Sequence, residues 1–257
     1  MRADLYLSSY GYVKSRQKAK TLIDDGYVKL NGHLIKKASI EIDENAENLI
    51  EINDPCPYVS RGGLKLEKIL KEANIDLTSK KAIDIGSSTG GFTDCLLKHG
   101  VSLVCAVDSG SNQLDMTLKE DNRVISMENY NARELSFDDV GFMADIITVD
   151  VSFISQTYIL GPASRLLNDD GAYIGLIKPQ FEVGIGKIGK GGIVKNKKDR
   201  LFAVQRVIES AGIYGLKCIH FTVSPIKGGD GNEEYLAMFS KNGYEISIDK
   251  IKKIIMN

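Results

Sequence analysis

An α/β fold is predicted for most of this 257-residue sequence. After residue 58, apolar strand-like runs alternate with helical segments, and a glycine-rich turn follows the first of these strands. A basic pattern of two helices and a hairpin precedes them. Together these features predict a larger α/β domain over residues 58–257 and a small α+β domain with its linker over residues 1–57.

The N-terminal segment carries helix and hairpin signals in order. Apolar residues from Leu5 to Tyr10 indicate a short helix, and a second helix begins after Ser15, whose hydroxyl can cap it. Gly26 is typical of a helix end, and Asn31-Gly32 is typical of a tight turn between two strands. Further strand-like pieces lie at 40–42 and 49–52, before a linker with two prolines.

Charge is distributed unevenly, although the net charge is only −1. Residues 2–37 hold eight Lys or Arg and three Asp, whereas residues 38–57 hold six acids and no base. A local cluster of cations favours a local anionic partner, although a basic helix on its own is more often a solvated face. The hairpin next to this basic helix favours binding of an anionic partner over a merely solvated face.

The glycine-rich turn predicts a nucleoside cofactor. The strand 81–85 leads into the turn 86–91, and the strand 101–108 ends in an acid whose distance from Gly86 suits a ribose contact. The turn lacks the Gly-x-Gly-x-x-Gly pattern of pyrophosphate binders, so we expect S-adenosylmethionine. The predicted cofactor contacts are Asp84, Gly86, Ser87, Ser88, Thr89, Gly90, Gly91, Phe92 and Asp108.

Four charged residues are predicted to meet at one edge of the sheet. Later strands are expected at 145–150, 172–178, 218–223 and 234–239, and the short connection before the last suits an antiparallel hairpin. Ligands of open α/β sheets bind outside the carboxyl ends of the strands. The predicted catalytic set is Lys65, Asp150, Lys178 and Glu234.

Such a set suits methyl transfer to a weakly acidic hydroxyl. A ribose hydroxyl is a poor nucleophile, so its proton must leave as the methyl group arrives. A lysine can serve as the base only when a neighbouring cation lowers its pKa. The hypothesis makes Lys178 the base and Lys65 a polarising group, with Asp150 and Glu234 orienting the lysines. Methylation of a base amino group is not expected, because its Asn-Pro-Pro-aromatic motif is replaced by residues 150–153.

The loop between Val183 and Arg206 contains seven basic residues, one acid and several glycines. It could close over a polyanion, with Lys195, Lys197 and Lys198 as contacts, or remain a solvated loop. Neutralising the three lysines should then weaken RNA affinity.

Other classes of protein are not expected. Four scattered cysteines and three histidines show neither a disulfide framework nor metal-ligand spacing. No run of about 18 apolar residues occurs, and the chain start lacks an export signal. A cytoplasmic protein, monomeric or weakly dimeric, is therefore expected.

Two resemblances extend these predictions. Ser15-Arg16, the segment 26–32 and Lys36-Lys37 resemble the S-four-type RNA-binding domain named after a ribosomal protein. That resemblance implies RNA binding. The candidate RNA contacts, with one in the later loop, are Arg2, Arg16, Lys18, Lys20, Lys29, Asn31, Lys36, Lys37 and Lys195.

The blocks 58–66, 84–94, 150–155, 178–182 and 231–235 closely resemble the TlyA family. Its catalytic domain is similar to FtsJ ribose methyltransferases, whose Lys-Asp-Lys-Glu tetrad falls on the four charges above. The resemblance implies 2′-O-methylation of cytidine in ribosomal RNA of one or both subunits, with Asn131 near the adenine of the cofactor. Some relatives are called haemolysins, but the sequence shows no membrane-active element. A non-catalytic RNA-binding protein is disfavoured because all four positions are filled.

Overall fold

The structure is a computed structural model that describes residues 1–228 and 231–257. It divides into two compact units, Met1–Pro57 and Tyr58–Asn257. Across the described ranges, no helix combines the length and the apolar character needed to cross a membrane.

The N-terminal unit contains two helices and a small antiparallel sheet. The helices are α1 (Ala3–Ser9) and α2 (Arg16–Asp24), and the strands are β1 (Val28–Leu30), β2 (His33–Leu34) and β3 (Ile50–Ile52), in the order β2-β1-β3. Ser15 caps α2 as predicted, because its side chain accepts a hydrogen bond from the Lys18 amide at 3.2 Å. Asn31 and Gly32 both have positive φ, which a turn of this kind requires.

The predicted strand at 40–42 does not form. The segment makes only an isolated bridge between Arg2 and Glu41. Instead, a backbone amide at the start of α1, which has no partner within the helix, uses a carbonyl of this segment: Ala3 N donates a hydrogen bond to Ile40 O at 2.7 Å. Ile42 is nevertheless buried in the core of the unit.

The larger unit is built on a sheet that, within the described residues, has seven strands in the order β6-β5-β4-β7-β8-β10-β9. β10 is antiparallel to both neighbours, and the other paired strands are parallel. The strands are β4 (Lys81–Ile85), β5 (Leu103–Val107), β6 (Val124–Met127), β7 (Ala144–Val149), β8 (Leu167–Ile177), β9 (Lys217–Val223) and β10 (Tyr235–Ser240).

Eight α-helices are described in the same unit: α3 (Gly62–Ala73), α4 (Gly91–Lys98), α5 (Met116–Lys119), α6 (Phe137–Val140), α7 (Thr157–Leu166), α8 (Pro179–Glu182), α9 (Lys197–Ile213) and α10 (Ile248–Met256). The Rossmann-like α/β fold and the antiparallel last strand are confirmed. β6 was not predicted from the sequence, because it is short and half exposed.

Strand order fixes where a ligand can bind. The chain moves outward from β4 through β5 to β6 and then returns to β7, so the order reverses between β4 and β7. Ile85 pairs with Val149 at the carboxyl ends of these two strands. Open α/β sheets bind ligands at such a switch point, and the segments after Ile85 and Val149 both begin there.

Candidate active site

The glycine turn after β4 is shaped by close packing. Gly86 has φ +82°, and a Cβ there would lie 2.5 Å from the carbonyl oxygen of Asp150. A Cβ at Gly91 would lie 2.2 Å from Ser60 Oγ and 3.0 Å from the backbone nitrogen of Gly63, at the start of α3. Both glycines therefore let the turn approach segments that carry predicted catalytic residues.

Asp108 holds the turn from the neighbouring strand. Its two carboxylate oxygens accept backbone hydrogen bonds from Ser88 at 2.8 Å and from Gly110 at 2.7 Å. Ser88 and Thr89 are exposed at the tip of the turn, and Ser88 has φ +47°. An ionised carboxylate retains further lone pairs, so Asp108 can also accept a hydrogen bond from a sugar hydroxyl.

Two predicted cofactor contacts lie beneath the turn. Asp84 is completely buried, and its oxygens accept hydrogen bonds from the hydroxyls of Thr93 at 2.7 Å and Thr148 at 2.8 Å. Burial raises the pKa of Asp84 to about 6. Phe92 is also buried, on the first turn of α4. Both side chains are buried and support the turn from beneath, and their contact with a cofactor stays a prediction.

The remaining residues of the glycine-rich turn differ in their exposure to solvent. Ser87, Gly90 and Gly91 are buried, whereas Gly86 is half-buried. A Cβ at Gly90 would lie 2.2 Å from Leu118 Cδ1, so this glycine is also needed for packing.

Asn131 lies exposed beyond the carboxyl end of β6. Its side chain accepts a hydrogen bond from the Arg133 amide at 3.3 Å and donates to Glu134 Oε1 at 2.7 Å. The side chain therefore caps the short helical turn Ala132–Glu134. Its contact with adenine stays a prediction.

The four predicted catalytic residues form two ion pairs. Lys65 Nζ lies 2.7 Å from Glu234 Oε2, and Lys178 Nζ lies 2.6 Å from Asp150 Oδ1. Lys65, Lys178 and Glu234 are buried, and Asp150 is partly buried. Tyr235 pairs with Ile177 across β10 and β8, so the residues before and after them, Glu234 and Lys178, lie at the same edge of the sheet.

Lys178 makes a second contact that the sequence did not predict. Its Nζ donates a hydrogen bond to Ser152 Oγ at 2.8 Å. The approach to Asp150 Oδ1 is close enough for an ion pair, but its angles are not those of a hydrogen bond. Within the described part of the chain, the directed hydrogen bond from this amine thus goes to Ser152.

Phe153 is the next residue and is 93% exposed. Its φ is +65°, a left-handed conformation that an aromatic residue rarely adopts. Its ring lies 5.4 Å from the ring of Phe181, which follows Lys178 by three residues. Nothing in the sequence pattern distinguishes this Phe from a core residue, and it was not predicted as a site residue.

A buried carboxylate fixes the segment that follows Asp150. Glu182 Oε2 accepts a hydrogen bond from Ser155 Oγ at 2.5 Å, and Oε1 accepts one from the Gln156 amide at 2.8 Å. Burial raises the pKa of Glu182. Since Glu182 ends the short helix α8 that begins directly after Lys178, it holds the two sides of the Lys178–Asp150 pair together.

The basic loop is anchored beside Glu234. Asn232 accepts a hydrogen bond from the Val194 amide at 3.0 Å and donates to Gly192 O at 2.9 Å. Lys195 is exposed before α9, and Lys197 and Lys198 are exposed on the first turn of that helix, so the predicted loop is helical from residue 197. Lys197 Nζ also donates a hydrogen bond to the carbonyl of Met256 at 2.7 Å.

The candidate RNA contacts in the N-terminal unit fall into two groups. Arg2 and Arg16 both form ion pairs with the Asp4 carboxylate, Arg2 Nε at 3.0 Å and Arg16 Nη2 at 2.9 Å. The hydrogen bond from Arg2 and then the contacts with Arg16 lower the pKa of Asp4 to about 2. Lys18 pairs with Asp54 at 2.5 Å. Asn31 Oδ1 accepts a hydrogen bond from the Leu49 amide at 2.8 Å, so the Asn31 side chain joins the hairpin to the segment before β3. The exposed lysines are Lys20, Lys29, Lys36 and Lys37.

The larger unit has the fold of a Rossmann-like methyltransferase. Residues 58–241 match the FtsJ-like methyltransferase family, and residues 1–48 match the S4 domain. The chain belongs to the FtsJ-like methyltransferase family.

Individual relatives match along most of their length. Hemolysin A of Brachyspira hyodysenteriae is 44% identical over 242 residues, covering 93% of this chain and 99% of that protein. The 16S/23S rRNA (cytidine-2′-O)-methyltransferase TlyA of Mycobacterium tuberculosis is 35% identical over 234 residues, covering 91% and 87%. A solved structure of a provisionally named hemolysin from Streptococcus thermophilus has a TM-score of 0.80 and 37% identity, covering 100% of this chain and 94% of that one.

Proposed function

We propose that the protein transfers a methyl group from S-adenosylmethionine to the 2′-hydroxyl of cytidine in ribosomal RNA. The observation that carries this proposal is the pair of buried ion pairs, Lys65–Glu234 and Lys178–Asp150, at the carboxyl edge of the sheet. The names of two relatives, from M. tuberculosis and Campylobacter jejuni, both specify cytidine-2′-O methylation of rRNA.

The turn after β4 suits a nucleoside cofactor that carries no phosphate. Asp108 would bind the ribose hydroxyls, and the exposed tip at Ser88 and Thr89 would lie against the cofactor. S-adenosylmethionine supplies an electrophilic methyl group, so the protein must provide only orientation and a place for the proton. Asp84 is assigned a supporting role, because its side chain is completely buried beneath the turn.

Lys178 is proposed as the residue that takes the proton. In this proposal Lys178 Nζ, as the neutral amine, would accept the proton of the ribose hydroxyl as the methyl group passes from the sulfur of the cofactor to the ribose oxygen, so that the S–CH₃ and O–H bonds break and the O–CH₃ and N–H bonds form. Asp150 then stabilises the resulting ammonium from 2.6 Å. Lys65, held by Glu234, donates a hydrogen bond to the same ribose oxygen and stabilises its developing negative charge.

RNA recognition is assigned to three features. The exposed lysines of the N-terminal unit and of the basic loop bind phosphates. The exposed ring of Phe153, next to the catalytic segment, stacks on the target base once the base leaves its helix. Because ribosomal RNA is the substrate, the protein acts in the cytoplasm.

The decisive experiment uses labelled S-adenosylmethionine with small and large ribosomal subunits, incubated separately. After digestion of the RNA, label in 2′-O-methylcytidine is the expected result and identifies the subunit. A Lys178→Met variant should transfer no label yet bind the cofactor, whereas the surface control Lys71→Met should behave like the wild type. Absence of label with both subunits, while the wild type binds the cofactor, would overturn the proposal.

A further inference from the structure

The amine of Lys178 has one hydrogen-bond acceptor and one ion-pair partner, and both follow the same strand. Nζ donates to Ser152 Oγ at 2.8 Å and lies 2.6 Å from Asp150 Oδ1. Only 9% of Lys178 is exposed, so these neighbours control the direction of the amine more than solvent does. Residues 150 and 152 both lie in the segment directly after β7.

We infer that Ser152 is a positioning residue that sets the direction in which Lys178 meets the substrate hydroxyl. This inference rests on the proposed function. It adds a fifth side chain to the four predicted from the sequence.

The lone pair of a neutral amine meets a substrate reliably only if rotation about the Cε–Nζ bond is restricted. Before it takes a proton, Lys178 carries two N–H groups and one lone pair. The hydrogen bond to Ser152 Oγ fixes this rotation, and the Asp150 carboxylate 2.6 Å away disfavours a lone pair directed at itself. Without Ser152, the amine can rotate, and the lone pair points away from the substrate for part of the time.

Ser152 is held in place at both ends of its segment. The amide of Asp150 donates to Ile85 O at 2.9 Å, at the end of β4. On the other side, Ser155 Oγ donates to Glu182 Oε2 at 2.5 Å. The backbone on either side of Ser152 is therefore fixed to the strand before the glycine turn and to the helix after Lys178.

Kinetics separate positioning from binding. Ser152→Ala should lower kcat roughly tenfold, while KM for RNA and Kd for the cofactor stay within about twofold, because the hydroxyl acts only on the reacting amine. Ser152→Thr keeps the Oγ atom and should recover most of kcat. The matched control is Ser164→Ala, which removes a hydroxyl that donates a hydrogen bond to Gly161 O on α7; its kcat should equal that of the wild type. An unchanged kcat in Ser152→Ala would overturn the inference.

A second measurement does not depend on methyl transfer. In ¹⁵N-labelled protein, the Nζ signal of Lys178 is assigned by its absence in Lys178→Met. The Nζ hydrogens should exchange with solvent faster in Ser152→Ala than in the wild type, and they should remain slow to exchange in Ser152→Thr. Equal exchange in wild type and Ser152→Ala would overturn the inference even with an active enzyme. Faster exchange in Ser152→Ala, with a wild type that methylates no RNA, would support the contact and overturn the proposed function instead.

Discussion

Lys65 Nζ lies 2.7 Å from Glu234 Oε2, although 169 residues separate the two in sequence. The contact joins α3, which precedes the sheet, to the residue before β10, its last strand in sequence. Only 2% of Glu234 is exposed, so a charge left alone there is poorly solvated.

Breaking this pair should therefore cost stability. Lys65→Met should lower the free energy of unfolding by about 3 kcal/mol, because it leaves the Glu234 carboxylate buried and unpaired. Lys65→Met combined with Glu234→Leu should recover most of that loss without recovering activity. Urea denaturation measures the free energy of unfolding of the single and the double variant. The pair Lys71–Glu67, whose lysine is exposed, provides the control, and Lys71→Met should cost less than about 1 kcal/mol. Equal losses in the two single variants would contradict the prediction.

Asp84 should make stability depend on pH. Burial raises its pKa in the folded state to about 6, above the ordinary value of 3.8, so the folded protein holds this proton more tightly than the unfolded chain does. The contribution of Asp84 to the free energy of unfolding should thus fall as the pH rises from about 4 to 6 and stay low above that.

Asp84→Asn removes the titrating group while keeping polar contacts to Thr93 and Thr148. Subtracting its free energy of unfolding from that of the wild type, at several pH values between 4 and 7, isolates the effect. The difference should change across this window. Parallel curves would show that Asp84 titrates alike in both states.

Phe153 should contribute to RNA recognition and not to cofactor binding. Stacking of a base on an aromatic ring is worth about 1–3 kcal/mol, so Phe153→Ala should lower kcat/KM for RNA roughly tenfold or more. Phe153→Trp should retain activity. Tyr244→Ala removes a ring that is 98% exposed elsewhere and is the matched control. A loss of cofactor affinity in Phe153→Ala, measured by calorimetry, would count against a base contact.

The exposed lysines of the N-terminal unit should bind phosphates. Lys36→Ala with Lys37→Ala should weaken RNA binding and reduce the slope of log K against log salt by about 1–2, since each phosphate contact contributes roughly 0.7–0.9. Lys252→Ala with Lys253→Ala removes two exposed charges from α10 and should leave the slope unchanged. Equal slopes for both double variants would remove this surface from the RNA-binding site.

Six of the seven described strands could be predicted because they are largely apolar runs bounded by turn residues, whereas β6 is short and half exposed. Asp150 and Lys178 could be placed for the same reason, as each directly follows a strand of known direction. Lys65 could not be placed by pattern alone. It lies on a helix outside the alternation of strands, so strand direction gives no reason to place it beside Glu234.

Ser152 and Phe153 could not be predicted, because their directions depend on a loop whose path is fixed by the distant Glu182. The burial of Asp84 could not be predicted for a related reason. Its position in the motif indicates an acid near the turn, but its hydrogen bonds to Thr93 and Thr148 depend on packing that the pattern does not show.

The approach of Gly86 to the Asp150 carbonyl has a consequence for how this protein can change over time. Because the two backbones leave no room for a methyl group, a side chain at Gly86 would displace the strand end that carries the partner of Lys178. Under the proposed function, variants that tune the affinity for the methyl donor at this position would thus disturb proton removal as well. Changes that act on one property alone must arise elsewhere, for example at the exposed tip of the turn.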